Sequence, residues 1–206
     1  MPNASDILAN LSAIASQARV VAIAWHVVVV VVIMALLSGL RPSKRTAAML
    51  LSLPLASVGI IAWRWHNPFN AIVFVGASLA LTTLASRGRL HDRVRMGSRF
   101  AIVCGAGLLT YAWSYPHFLA GPSAIAYLYG APLGIIPCPT LALAVAATLL
   151  GDGLVGGAWC LTLAGLAMFY AVFGIARLGV ALDWGLLVGT AALLSQHWRT
   201  AREVSA

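Results

Sequence analysis

Residues 130–150 read GAPLGIIPCPTLALAVAATLL, an apolar stretch of membrane length interrupted by Pro132, Pro137 and Pro139. A proline removes a backbone donor and pushes the residue before it out of the α region. The carbonyls of Leu133 and Ile135 therefore lose helical partners, and Ile136 and Cys138 become poor helix residues. The expected geometry is a short entry segment, a kink, and a fresh helix with Cys138 as its cap and Pro139 at its first position. In lipid such a break persists only where protein or a wet cavity satisfies the freed groups, which makes the kink a candidate site.

The rest of the chain explains why lipid is the relevant solvent. Of 206 residues, 61% are hydrophobic and 9% charged, far from the proportions of a soluble domain. A net charge of +8 raises nucleic acid as a partner, but the Lys and Arg residues stand in short runs between apolar spans, the pattern of cytoplasmic loops. Nucleic acid is set aside on that ground, and the lipid bilayer is the expected partner. Cys104, Cys138 and Cys160 all fall inside apolar segments without a CxxC pair, so neither a disulfide framework nor a thioredoxin-like motif is expected. No cleavable signal is expected either, because the first 18 residues carry no Lys or Arg and the first apolar run is long enough to span. The Ala, Val, Gly and Arg bias is that of a GC-rich bacterial genome, which places the expected location at a bacterial inner membrane.

The fold class expected is all-α, a polytopic bundle of about seven spans. Residues 1–19 form an external amphipathic segment in which Ile7, Leu8, Leu11, Ile14 and Ala15 share one face after a Ser5 cap. With little positive charge, this helix is expected to pack on the protein rather than bind anionic lipid. The membrane domain, residues 20–196, holds spans near 20–40, 46–65, 71–86, 100–115, 130–150, 158–176 and 178–196, with a bend at Pro54 and a tight turn at Asn67-Pro68-Phe69-Asn70. Residues 197–206 form a cytoplasmic tail. Seven spans with the amino terminus outside put ten of the 13 Lys and Arg residues on the cytoplasmic side, five of them between Arg87 and Arg99. Six spans result if the broken segment is re-entrant. The pairs Gly185 with Gly189 and Gly130 with Gly134 have the spacing of close helix contacts.

In that topology His26, Cys138 and Asp183 all lie roughly 8 to 9 Å below the outer face, at 1.5 Å per helical residue. Above them stand Arg64, His66, Asn67, Tyr115 and His117, with Tyr111 slightly deeper. A carboxylate in lipid costs about 2.5 to 3.5 kcal/mol on insertion scales, so Asp183 is expected to face the bundle and find a donor, Arg177 or Arg64 in an interfacial ion pair being one solution. Candidate ligand-binding residues are Cys138, Asp183, His26, Thr140, Tyr111, Asn67, His66 and His117. Thiol, imidazole and carboxylate together also match a thiophilic or borderline metal ion, with Cys138, His26 and Asp183 as ligands.

The chain resembles an uncharacterised bacterial polytopic membrane family whose members share an Asn-Pro turn, a Tyr-Pro span end, a Gly-x-x-Pro-Cys-Pro-Thr core and a late Asp. These are Asn67-Pro68, Tyr115-Pro116, Gly134 through Pro137-Cys138-Pro139-Thr140, and Asp183 here, over most of residues 60–195. The family's Gly-His pair before the core is replaced by Gly121-Pro122. The resemblance implies a fold but no activity. Three functions stay open: a permease-like protein with an outward-facing site for a small solute or metal ion at the broken span, a membrane-embedded enzyme with Cys138 as nucleophile and His26 or His117 as base, and an accessory subunit in a homo-oligomer or beside a partner membrane subunit. A proline-flanked cysteine also occurs in heavy-metal P-type ATPases, but their phosphorylation and nucleotide domains are missing, which excludes ATP-driven pumping.

Overall fold

A computed structural model of the chain describes residues 3–87, 92–119 and 125–205. Among the described residues the protein is all-helical, with a single isolated bridge between Ser43 and Arg93. The helices are α1 (Ala4–Gln17), α2 (Arg19–Leu37), α3 (Lys44–Arg64), α4 (Pro68–Ser86), α5 (Arg99–Ser114), α6 (Ala126–Gly130), α7 (Pro137–Leu150), α8 (Gly157–Leu178) and α9 (Trp184–Ser205), with a 3-10 turn at Ala181–Asp183 before α9. Four of them, α2, α3, α4 and α8, are long and apolar enough to cross a membrane. Valines 27, 28, 30, 31 and 32 of α2 point outward, as do Val103 of α5 and Val188 of α9, which is where side chains in contact with lipid tails belong.

Polar caps start several of these helices. Asn3, Ser43, Asn67 and Ser98 each accept a hydrogen bond from the backbone three residues on. The cap of α1 is thus Asn3, not the expected Ser5, whose hydroxyl instead donates to Asn3. The apolar face of α1 lies where its spacing predicts: Leu11, Ile14 and Ala15 are buried, with Ile7 and Leu8 packed beside them. Pro54 sits inside α3.

At the core of the bundle stands α7, whose first ten residues, 137–146, are all buried among α3, α5, α8 and α9. Its start corrects the expected cap. Ile136 is the extended cap residue and Pro137 the first helical residue, so Pro139 falls at the third position and Cys138 between them is helical. The first turn of a helix has no intrahelical use for its N–H groups, so both prolines fit there. Residues 131–136 ahead of them turn tightly, with Ile136 N–H donating to Pro132 at 3.1 Å.

One end of the bundle gathers the basic loops. Lys44 N–H donates to Asp92, Val94 N–H to Pro42 and Gly97 N–H to Leu150, so the loop before α3, the segment before α5 and the end of α7 lie together. Arg93 reaches the Arg41 carbonyl from the same segment, whereas Arg89 of the arginine cluster lies outside the described residues. The other end holds the caps of α4 and α7, the end of α8 and the start of α9.

The candidate site at the start of α7

Asp183 is the centre of this second end. Helix α8 stops at Gly179, which takes the left-handed conformation at φ +69, and the N–H groups of Gly179 and Val180 both donate to the Gly174 carbonyl. The chain thereby doubles back along α8 and lays the Asp183 side chain against Gly174, where a methyl group would overlap Oδ2. The carboxylate is 1% exposed.

Three donors meet it. Tyr115 Oη donates to Oδ1 at 2.9 Å, Tyr111 Oη donates to the same oxygen at 3.4 Å, and Cys138 Sγ donates to Oδ2 at 3.3 Å. Their positions follow from local structure. Tyr111 and Tyr115 are four residues apart and stack edge to face at 5.3 Å, bringing both hydroxyls to one point at the end of α5. Gly185 gives the Tyr111 ring its space on α9, as Gly189 does for Leu108 one turn further. Cys138 is delivered by the proline-flanked start of α7. With prolines at the first and third positions, its N–H is the sole backbone donor in the first three residues of that helix. The donors that satisfy Asp183 are thus phenols and a thiol rather than the guanidinium of an interfacial ion pair.

The remaining predicted site residues divide around this cluster. His117 follows α5, is half-buried, packs edge to face on Tyr115 and Phe118, and lies within electrostatic reach of Asp183. Thr140 is fully buried but does a different job: its hydroxyl accepts the Gly134 N–H at 2.9 Å and donates to the Ile136 carbonyl at 2.7 Å, locking the entry segment onto the first turn of α7. Asn67 caps α4, and His66 is exposed in the turn before it with φ 54. Neither Asn67 nor His66 reaches the carboxylate.

His26 departs from the expected set. Its Nδ1 lies 2.8 Å from the Ala22 carbonyl and its Nε2 3.0 Å from the Trp113 carbonyl, and the ring packs edge to face on Trp113 at 4.5 Å. Both nitrogens are thus directed at backbone oxygens, and the residue fastens α2 to the end of α5. The expected metal triad of Cys138, His26 and Asp183 is not assembled. Among the described residues no group of three or more His, Cys, Asp and Glu side chains is placed to hold a metal ion.

Several participants escape a sequence reading. Tyr170 donates to Asn70 Oδ1 at 2.7 Å and so ties α8 to the first turn of α4. Gly174 makes room for the carboxylate, and Trp25 lies over Gly134 so closely that a methyl there would overlap its ring, while its Nε1 donates to Ser57 at 3.0 Å. Gly130 lies under the Arg19 side chain. The Gly130 and Gly134 pair thus receives side chains of α2, as the Gly185 and Gly189 pair receives those of α5. The replacement pair Gly121-Pro122 lies outside the described residues. No protein-family model matches the chain, nor does any curated protein or solved structure at a significant level.

Proposed function

We propose that this chain is a seven-span inner-membrane protein of bacterial origin, with its amino terminus outside, that handles a small solute at an outward-facing site where α7 begins. The observation that carries this reading is the convergence of four polar side chains from three segments, Tyr111, Tyr115, Cys138 and Asp183, on the start of a discontinuous and otherwise apolar helix. Broken helices with polar groups at the break are how transporters build binding sites at depth. At 14 residues α7 extends about 21 Å, short of the roughly 30 Å of a hydrocarbon core. The buried entry segment and α6 make up the difference, giving the fifth crossing. Counting α5 and α9 as the fourth and seventh places the loops that pair through Lys44, Asp92 and Gly97 on one side, the basic side expected of the cytoplasm. The resemblance to an uncharacterised polytopic family, on the Pro-Cys-Pro-Thr core and late Asp, agrees with this placement.

A membrane-impermeant maleimide added to intact cells tests the reading, in a variant whose only cysteine is Cys138. Labelling from outside is the expected result. Labelling only after denaturation means a packed thiol, and α7 is then a structural element of an accessory subunit. The thiol-to-carboxylate contact also favours a second reading, a thiol enzyme with Asp183 as proton acceptor, in which Cys138→Ser abolishes turnover.

A further inference from the structure

Asp183 is too tightly enclosed to hold a solute directly. Its Oδ1 has two phenolic donors, its Oδ2 has a thiol, and Oδ2 rests against the α8 backbone at Gly174 with no space for an added methyl group. A calcium or magnesium ion would need at least six oxygen ligands at about 2.0 to 2.6 Å, whereas both carboxylate oxygens already serve protein donors. The titratable and charged groups facing it are Tyr111, Tyr115 and His117 from α5 and the segment after it, and Cys138 from α7. On α8, Tyr170 is engaged by Asn70, and Arg177 lies one turn beyond Gly174. None of the hydrogen-bond donors to the carboxylate carries a charge, and a buried carboxylate held by neutral donors alone is costly.

We propose that the ion this site binds is a proton, taken up on the Asp183 carboxylate and coupled to solute handling at the start of α7; the coupling rests on the permease reading above, while the proton site itself does not. The balance is simple: a hydronium ion of the aqueous phase gives up one proton, breaking its O–H bond and leaving water, and that proton forms an O–H bond on Oδ1. Tyr111, the donor at the longest distance, turns its hydroxyl to accept from that O–H. Tyr111 and His117 are half-buried and form the side of the cluster nearest the bundle surface, which makes them the entry route.

Infrared difference spectra of the full chain in lipid nanodiscs, taken as the pH is lowered from about 8 to about 5, test this. The expected result is a carboxylic-acid carbonyl band from a buried site that is present in the wild type and lost in D183N. A band of unchanged intensity in D183N overturns the proposal. If D183N fails to fold, Y111F decides: removing the partner of the new O–H shifts the band, and an unshifted band overturns the assignment. A band that behaves as expected in a protein whose Cys138 is labelled only after denaturation keeps the proton site and removes the solute reading, so the two failures are distinct.

Discussion

Gly174→Ala is the substitution that most directly probes the seat of Asp183. Within α8, replacing glycine by alanine stabilises a helix interior by up to about 1 kcal/mol. Against that gain, the new methyl occupies the position of Asp183 Oδ2 and forces the carboxylate away from α8. The Cys138 hydrogen bond to Oδ2 is lost first, and the Tyr115 and Tyr111 bonds to Oδ1 lengthen as the side chain turns. Hydrogen bonds to a charged acceptor contribute about 1.5 to 3 kcal/mol each. Loss of one and weakening of two others costs about 3 to 5 kcal/mol, so the net effect is a destabilisation of about 2 to 4 kcal/mol. In a chain of this size that lowers Tm by on the order of 10 °C. Gly165→Ala on the same helix is the matched control, because nothing lies within 4 Å of a methyl there. It should be neutral or slightly stabilising. Thermal unfolding of both variants in one detergent gives the comparison, and a Gly174→Ala protein as stable as Gly165→Ala refutes the placement of Asp183 against α8.

Four further outcomes are expected. Tyr115→Phe should destabilise by about 1.5 to 3 kcal/mol and Tyr111→Phe by less than about 1, since their hydroxyls lie 2.9 and 3.4 Å from Oδ1, and denaturant unfolding that ranks them the other way contradicts the geometry. Gly134→Ala should be severe, because φ is +72 and the methyl meets Trp25. In a Trp25→Ala background its cost should fall to about 1 to 2 kcal/mol, the backbone contribution alone, and equal costs in the two backgrounds would show that the ring does not cover Gly134. Loss of the α4 cap in Asn67→Ala should cost about 1 kcal/mol with little effect on Cys138 labelling, which a change in labelling rate would contradict. Finally, cysteines placed singly at Met96 and His66 of a cysteine-free chain should react with impermeant maleimide from opposite sides of the membrane, and reaction of both from outside would end the seven-span topology.

Only part of the candidate site was legible in the sequence, and the reasons are physical. Proline placement is a local property, so the break before α7 was legible from residues 130–150. Whether the helix begins at Pro137 or Pro139 was not, because either start leaves both prolines outside the hydrogen-bonded ladder; the extended backbone of Ile136 and the Thr140 N–H bond to its carbonyl mark the earlier one. The expected depth rested only on the rise per residue; in the fold His26 bonds to Trp113, two residues before the tyrosine that holds Asp183, and Asp183 itself lies in the turn before α9. Depth is not direction, however. Nothing in the spacing of α2 says whether its single histidine turns towards α7 or towards the end of α5, and the open C-terminal carbonyls of α5 provide the acceptor that takes it.

Glycine carries the remaining lesson. Gly185 and Gly189 announce themselves by their spacing, whereas Gly174 has no partner four residues away and reads as one small residue among many in an apolar helix. Its role is visible only when the turn at Gly179 brings the chain back along α8. A carboxylate that must be buried needs a backbone it can approach, and the helix that ends immediately before Asp183 is the nearest one available. Tyr170, one turn before Gly174 and bonded to Asn70, fixes the same stretch of α8 to the Asn-Pro turn of α4. The two features the sequence showed separately, the turn at Asn67-Pro68 and the late Asp183, are therefore joined through a segment of α8 that no motif marks, so a change at Tyr170 should be felt at Asp183 through the position of Gly174.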